Sequence, residues 1–267
     1  MVAPNESLSE RSVLITGASS GIGAATAVAL CTRNAPQALA LHYNSNTAGA
    51  EATAKQCREA APGTRIETFQ ADMGDEQAVQ RLYDEVRKAF GRVDAMFVNA
   101  GNNGGAHLGP QGDIENLSVA QFRKTWEVNT LAPFILTRAA LGEMAQQAQR
   151  KWGRIVYCSS VAALTGGVVG PHYASSKSAL HGMLRWTATR HAKDGITCNA
   201  VAPALIDQTG MIDSSKMDAS TKSSLEGNIP IGRLGRVEEC VDVILLLLTN
   251  AYISNKVWAV DGGWTMQ

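Results

Sequence analysis

Between Ser12 and Leu30 a short apolar run, Ser12-Val13-Leu14-Ile15-Thr16, feeds Gly17-Ala18-Ser19-Ser20-Gly21-Ile22-Gly23 and then Ala24-Ala25-Thr26-Ala27-Val28-Ala29-Leu30. The run reads as a buried strand and the alanine-rich stretch as a helix. Strand, glycine-rich turn and helix start in immediate succession are the context a dinucleotide-binding loop requires. The glycines let the backbone turn sharply and let a pyrophosphate approach the helix N-terminus. There, unpaired N–H groups and the helix dipole favour an anion. The spacing is Gly-x-x-x-Gly-x-Gly rather than the commoner Gly-x-Gly-x-x-Gly, and an ordinary strand-to-helix turn is the plain alternative.

The alternation set up by this stretch continues along the chain. Strands are expected at 38–43, 65–70, 93–98, 154–158, 196–201 and 256–260. Between them the sequence predicts helices over 47–61, 76–90 (capped by Asp75 and stopped at Gly91) and from Ser118 towards Gln149, with a bend at Pro133. Further helices are expected over about 172–193 and 237–249, while 204–230 shows little periodicity. Strands alternating with helices imply a parallel sheet covered on both faces. With 267 residues and no repeat or linker, one α/β domain is expected over 11–267, preceded by a loose tail over 1–10.

Ser160 to Lys177 is the stretch that carries chemistry. Ser160 follows the strand Arg154-Ile155-Val156-Tyr157-Cys158, at the sheet end where parallel α/β proteins build sites. Tyr173 and Lys177 stand four residues apart, so on a helix they share a face. An ammonium beside a phenol favours the phenolate and lowers its pKa from about 10, which would make Tyr173 a general acid or base near neutral pH. By itself the pair also suits a lysine stem lying on a tyrosine ring.

Composition excludes several other classes. Formal net charge is zero, which offers nothing to a nucleic acid or an anionic membrane. No apolar run approaches the ~20 residues of a membrane span, and the polar N-terminal stretch does not read as a signal peptide. Cys31, Cys57, Cys158, Cys198 and Cys240 are scattered without metal-ligand spacing, as in a reducing, cytoplasmic setting. No metal site is expected.

Taken together, these residues resemble the short-chain dehydrogenase/reductase family over nearly the whole chain. The matching pieces are Thr16 to Gly23, Asp72, Asn99-Ala100-Gly101, Asn129, Ser160, Tyr173-x-x-x-Lys177, Asn199 to Pro203 and Asp261-Gly262-Gly263. Ile229 to Gly235 resembles the 3-oxoacyl-carrier-protein reductase branch, a motif that many members share. The resemblance implies a Rossmann-type seven-stranded parallel sheet in the order 3-2-1-4-5-6-7, with a nicotinamide cofactor across the switch point. It implies that Tyr173 transfers the proton, Ser160 bonds the reacting oxygen, and Lys177 tunes Tyr173 and holds the ribose. Asn129 would hold a water leading to solvent.

The cofactor would lie along Gly17, Ser19, Ser20, Gly21, Ile22, Gly23, Asn44, Ser45, Asp72, Met73, Asn99, Ala100, Gly101, Tyr173, Lys177, Pro203 and Ile206. The family usually has Gly after Pro203. Ala204 stands here, and whether Ile206 or Thr209 meets the nicotinamide amide stays open. The second strand ends His42-Tyr43-Asn44-Ser45-Asn46, with no carboxylate until Glu51 and no Arg or Lys. A carboxylate there would favour NAD over a 2′-phosphate, so its absence points to NADP(H), with NAD(H) possible. The expected reaction interconverts a ketone and a secondary alcohol on a small organic or acyl substrate. Segments 102–112, 161–171 and 204–228 would shape the pocket. The alternatives are an NAD-dependent hydroxy-compound dehydrogenase or a non-catalytic nucleotide sensor. The resemblance further implies a homo-oligomer, dimer or tetramer. It would be joined through Trp126, Phe134, Leu180, Met183, Leu184 and Trp186, with a second contact at Trp258 and Trp264.

Overall fold

The structure is a computed structural model and describes residues 7–105, 113–145 and 151–265. Seven strands form one parallel sheet: β1 Ser12–Ile15, β2 Ala38–Tyr43, β3 Arg65–Gln70, β4 Ala95–Val98, β5 Gly153–Cys158, β6 Ile196–Pro203 and β7 Val257–Val260. Their order is β3-β2-β1-β4-β5-β6-β7, the order the resemblance implies. Successive strands add outward from β1 in one direction and then, from β4, in the other. The reversal opens a crevice at the strand C-termini. Register aligns Ile15 with Leu41 on one side and Phe97 on the other. The residues just past Ile15, Leu41 and Phe97 therefore emerge together at the head of that crevice.

Helices α1 Gly21–Asn34, α2 Thr47–Ala60 and α3 Glu76–Phe90 follow β1, β2 and β3. Asp75 caps α3 by accepting from the N–H groups of Gln77 and Ala78, and Gly91 ends it in the left-handed region at φ 80°. Each such N-terminal cap is worth about 1 kcal/mol. Strands β1, β4, β5 and β6 are buried along their length, whereas β7 is half-buried throughout at the open edge. Two core layers flank the sheet. One holds Leu14, Met96, Ile155 and Tyr157 against Leu136 and Leu184; the other holds Ile15, Phe97 and Val156 against Leu30, Ile244 and Leu248.

Three features depart from the expected elements. The helix expected from Ser118 with a bend at Pro133 is divided further, into α4 Val119–Trp126, a π-helical turn Glu127–Leu131, and α5 Ala132–Met144. Pro133 has no N–H and cannot bond the carbonyl four residues back, that of Asn129, so the ladder re-registers one turn earlier. Beyond α6 Ala162–Thr165 and α7 Pro171–His191, the segment expected to lack periodicity contains α8 Ala219–Gly227, started by Asp218. It escapes a periodicity reading because it buries no residue. Helix α9 Val237–Thr249 then leads to β7. Finally, Leu8, expected in the loose tail, is fully buried in the second core layer.

Candidate active site

The glycine loop is closed by bonds from the neighbouring strand end. Thr16 Oγ1 accepts from the N–H groups of Asn99 (2.9 Å) and Ala100 (3.0 Å). Asn99 Nδ2 returns bonds to the carbonyls of Thr16 (3.0 Å) and Gly17 (3.2 Å). Gly17 sits at φ 68°, and a Cβ on Gly23 would stand 2.2 Å from the Gly17 oxygen. No side chain fits at either place without opening the turn. Ser20 precedes α1 but its side chain makes no capping bond, which leaves the first N–H groups of α1 open to an anion.

His42 supports this loop from below, a role sequence reasoning missed. Its Nδ1 accepts from the Gly17 N–H (3.1 Å) and Nε2 donates to the Ala71 carbonyl (3.1 Å), tying the ends of β1, β2 and β3. An accepting Nδ1 places the proton on Nε2. Burial holds the imidazole down to about 4, so it stays neutral. The readable signal was one polar residue in Ala38-Leu39-Ala40-Leu41-His42-Tyr43, just where the strand ends. Asn46 was missed as well. It accepts from Gly49 N–H (3.0 Å) and donates to the Ser19 carbonyl (3.3 Å), holding α2 against the loop. Asn44 and Ser45 beside it are exposed. Asp72, also exposed, accepts from Gly74 N–H (2.8 Å), and Met73 is buried next to it.

The structure brings Ser160, Tyr173, Lys177 and Asn129 to the same end of the sheet. Ser160, just past β5, accepts from Ala162 N–H (3.1 Å) and stands beside the Tyr173 phenol, whose pKa it acts to lower. Lys177 lies one turn along α7, with Nζ 5.8 Å from the Tyr173 ring centroid and donating to the Cys158 carbonyl (2.8 Å). Asn129, on the π-helical turn, donates to the Asn102 carbonyl (2.8 Å) and Ser176 Oγ (3.1 Å). Its Oδ1 accepts from Asn102 N–H (2.9 Å). The fully buried amide thus clamps the loop after β4 to α7. A Cβ on Gly101 would lie 3.0 Å from Lys177 Nζ and 3.1 Å from Asn129 Oδ1, so a side chain there would press on both groups.

One expectation is corrected here. The Tyr173 phenol is not lowered by Lys177; burial pushes it up to about 12, and Ser160 works against that rise. Burial also lowers Lys177. The ammonium is out of water and engaged by a carbonyl, and desolvation is the largest effect on both groups.

The segment after β6 lies across both halves of the site. Pro203 ends β6, and its carbonyl accepts from Val161 N–H (3.0 Å). Ile206 bridges to Gly235 and is buried in the core layer that also holds Ala18 of the glycine loop. Thr209 also lies against the glycine loop, its Cα 3.4 Å from where a Gly21 Cβ would stand. Two residues on, Met211 places Sδ 4.0 Å from the Tyr173 hydroxyl, which donates to it. On the other wall, the buried His172 Nε2 meets the Asn103 carbonyl at 3.0 Å, another contact the sequence did not disclose. Residues 106–112, expected to shape the pocket, lie outside the described residues.

A glycine loop that leaves a helix N-terminus open, beside a buried tyrosine and lysine and a half-buried serine at a topological switch point, defines a nucleotide-dependent oxidoreductase site of the short-chain type. The family pattern of short chain dehydrogenases matches residues 11–220. The L-rhamnose 1-dehydrogenase (NAD(P)(+)) of Sphingomonas sp. (strain SKA58) is 32% identical, over 96% of this chain and 96% of its own. The crystal structure of levodione reductase superposes with a TM-score of 0.82 at 32% identity, covering 95% of this chain and 96% of that one. A blue fluorescent protein from a metagenomic library, in complex with NADPH, gives 0.83 at 28% identity, over 98% and 100% of the two chains. The chain belongs to the short-chain dehydrogenase/reductase family and is an oxidoreductase acting on alcohols and ketones. Among the described residues no helix is long and apolar enough to cross a membrane.

Proposed function

We propose that the protein is an NADP(H)-dependent carbonyl reductase that interconverts a ketone and a secondary alcohol on a small organic or acyl substrate. The observation that carries this reading is the phenol: Tyr173 is buried, beside Ser160, and one helical turn from Lys177. A buried phenol at that place can give a proton to a carbonyl oxygen in reduction and take it back in oxidation. Ser160 would hold the reacting oxygen. Lys177, Asn129 and Ser176 would complete the polar path beneath it, since Asn129 bonds Ser176 and approaches the same junction as Lys177. Loss of these groups would mark a non-catalytic sensor, and all are present.

The residues fit a nicotinamide dinucleotide. The cradle of Gly17, Gly21 and Gly23 excludes side chains, Ser19 and Ser20 add hydroxyls, and α1 opens towards it. Asp72, Met73, Asn99, Ala100 and Gly101 would continue the cleft, with Tyr173 and Lys177 at its reacting end and Pro203 and Thr209 across it. When bound, the cofactor supplies or takes up hydride, and the protein contributes position and electrostatics. Asn44 and Ser45, exposed and uncharged at the end of β2, leave room for a 2′-phosphate. Relatives include one named for NAD(P)(+) and one structure holding NADPH.

Steady-state reduction of a ketone panel, followed by nicotinamide absorbance with NADPH and NADH, tests both statements. The expected outcome is turnover with a preference for NADPH. Asn44→Asp should move the ratio towards NADH by placing a like charge against the phosphate. A parent that favours NADH, or a ratio unmoved in the variant, would refute the cofactor assignment.

The reading extends to assembly and location. Leu180 and Leu184, expected at a subunit contact, are core residues, whereas Phe134 and Trp186 are 45% and 56% exposed. A groove of about 550 Å³ between α4, α5 and α7 is lined by Trp126, Leu131, Phe134 and Met183. An apolar groove on paired helices, and a half-buried edge strand carrying Trp258, suit a two-fold homo-oligomer. Sedimentation at micromolar concentration should give a dimer or tetramer; a monomer mass would refute this. Five buried free cysteines suit a reducing cytoplasm.

A further inference from the structure

We infer that Ser159 and His181 act as one positioning pair, which sets where Lys177 and Tyr173 stand relative to Ser160. The inference rests on the carbonyl-reductase reading above and adds two residues to the same site.

The reacting groups come from two elements. Ser160 follows β5, whereas Tyr173 and Lys177 stand on α7. Their relative places depend on what joins the end of β5 to α7. Ser159 lies between Cys158 and Ser160 and is 3% exposed. It continues the sheet ladder, its N–H donating to the Val201 carbonyl (2.8 Å). Its hydroxyl donates to the Lys177 carbonyl (3.4 Å) and lies 2.8 Å from Nε2 of the buried His181. With the one serine proton on that carbonyl, Nε2 is the donor to Ser159. Burial, and then Arg185, lower the imidazole, so at neutral pH it is uncharged and has a single N–H to give.

His181 stands one turn beyond Lys177, and in a helix the Lys177 carbonyl also accepts from the His181 main-chain N–H. Ser159, the Lys177 carbonyl and His181 thus close a ring of hydrogen bonds. Lys177 is held at both ends by consecutive residues: Nζ donates to the Cys158 carbonyl (2.8 Å), and its own carbonyl takes the Ser159 hydroxyl. Nζ can change partners when the site is filled; the main-chain bond stays.

The opposite side of α7 is tied elsewhere. Trp126 donates to Ser175 Oγ (3.2 Å), Thr130 to the Ser176 carbonyl (3.0 Å) and Asn129 to Ser176 Oγ (3.1 Å). Those bonds lead to α4 and the π-helical turn and do not reach β5. The Ser159–His181 pair does reach it, one residue from Ser160. A satisfied buried hydrogen-bond network fixes direction, which an apolar contact at the same place would not.

Three variants separate positioning from plain support: Ser159→Ala, His181→Leu and the double substitution. Each single change leaves a buried polar group short of a partner and should lower the urea midpoint. The double removes both groups and should recover the parental midpoint. With NADPH and a ketone that the parent reduces, kcat should fall in all three by about ten- to a hundredfold, since a misplacement of about 1 Å can cost about 10²-fold. The double should be no slower than either single, as for groups that act as a unit. Ketone KM, and NADPH affinity read by nicotinamide fluorescence, should stay within about threefold, because the loss falls on the transition state. His181→Gln, which can present an N–H to Ser159, should restore kcat.

A double variant with parental midpoint and parental kcat would overturn the inference, as would a His181→Gln variant as slow as His181→Leu. If the single variants fail to fold, the double and His181→Gln still decide it. A slow Tyr173→Phe beside a parental double variant would remove the pair and leave the carbonyl-reductase reading standing. A parental Tyr173→Phe, or a parent that reduces no ketone, would overturn that reading and this inference with it.

Discussion

Tyr173→Phe is expected to lower kcat by about 10²–10⁴-fold, the usual contribution of a positioned acid–base group. The ring would remain in place: Tyr173 is 6% exposed and packs on Ala162 and Ala174, contacts that phenylalanine keeps. The loss is confined to the hydroxyl that stands beside Ser160 and donates to Met211. Stability should change little, because the partners of the hydroxyl are a serine with other bonds and a weakly accepting thioether. Cofactor affinity should survive within a few-fold, since the glycine loop is braced by Thr16, His42 and Asn99 rather than by the phenol. A phenylalanine variant with near-parental kcat on an accepted ketone would remove Tyr173 from the mechanism.

The second large effect is expected from Lys177→Met, and here activity and stability should part. Methionine matches the length of the lysine stem and removes the charge. Turnover should fall by at least about 10²-fold, the lower end for acid–base machinery. Folding stability should hardly fall. Lys177 is 3% exposed and burial lowers its pKa, which means that its charged form is disfavoured in the folded protein. Removing a buried charge in favour of an apolar residue is often neutral or stabilising by about 1–4 kcal/mol. Against this, the Cys158 carbonyl loses its 2.8 Å donor, at a cost of about 1–3 kcal/mol. The two nearly offset.

The pH dependence follows from the same direction. Because the folded-state value is lowered, the parent carries its full penalty when Lys177 is protonated in both states. It sheds that penalty as pH rises from the lowered value towards the unfolded value of about 10.4. The parent should therefore gain on the methionine variant over that window in paired urea titrations. A variant that unfolds at much lower urea near neutral pH would show that the ammonium holds α7 in place, contrary to this account.

Much of the architecture was legible in the sequence because its causes are local. Strand β1, the glycine turn and α1 follow one another within Ser12 to Leu30, and each is specified by the residues that form it. The caps at Asp75 and Ser118 and the stop at Gly91 stand where a short window predicts them, since a cap depends on three or four neighbours. Tyr173 and Lys177 share a helix face by spacing alone. The order of the seven strands came through the family resemblance, which the sheet bears out.

What tertiary structure alone decided depends on contacts between distant residues. His42 meets Gly17 from 25 residues away, Asn129 clamps Asn102 from 27, and Met211 reaches Tyr173 from 38. No window of sequence contains such a pair. The phenol was misjudged for the same reason: the spacing of Tyr173 and Lys177 was correct, but the sign of its shift depends on how much water the fold removes around both groups. Helix α8 was missed because it buries nothing and so leaves no apolar period. The sequence by itself therefore determined most of the elements and nominated the residues of the site. Burial and long-range hydrogen bonding, which exist only once the sheet has formed, decided which residues brace the loop, how the proton donor is held, and what lies over it.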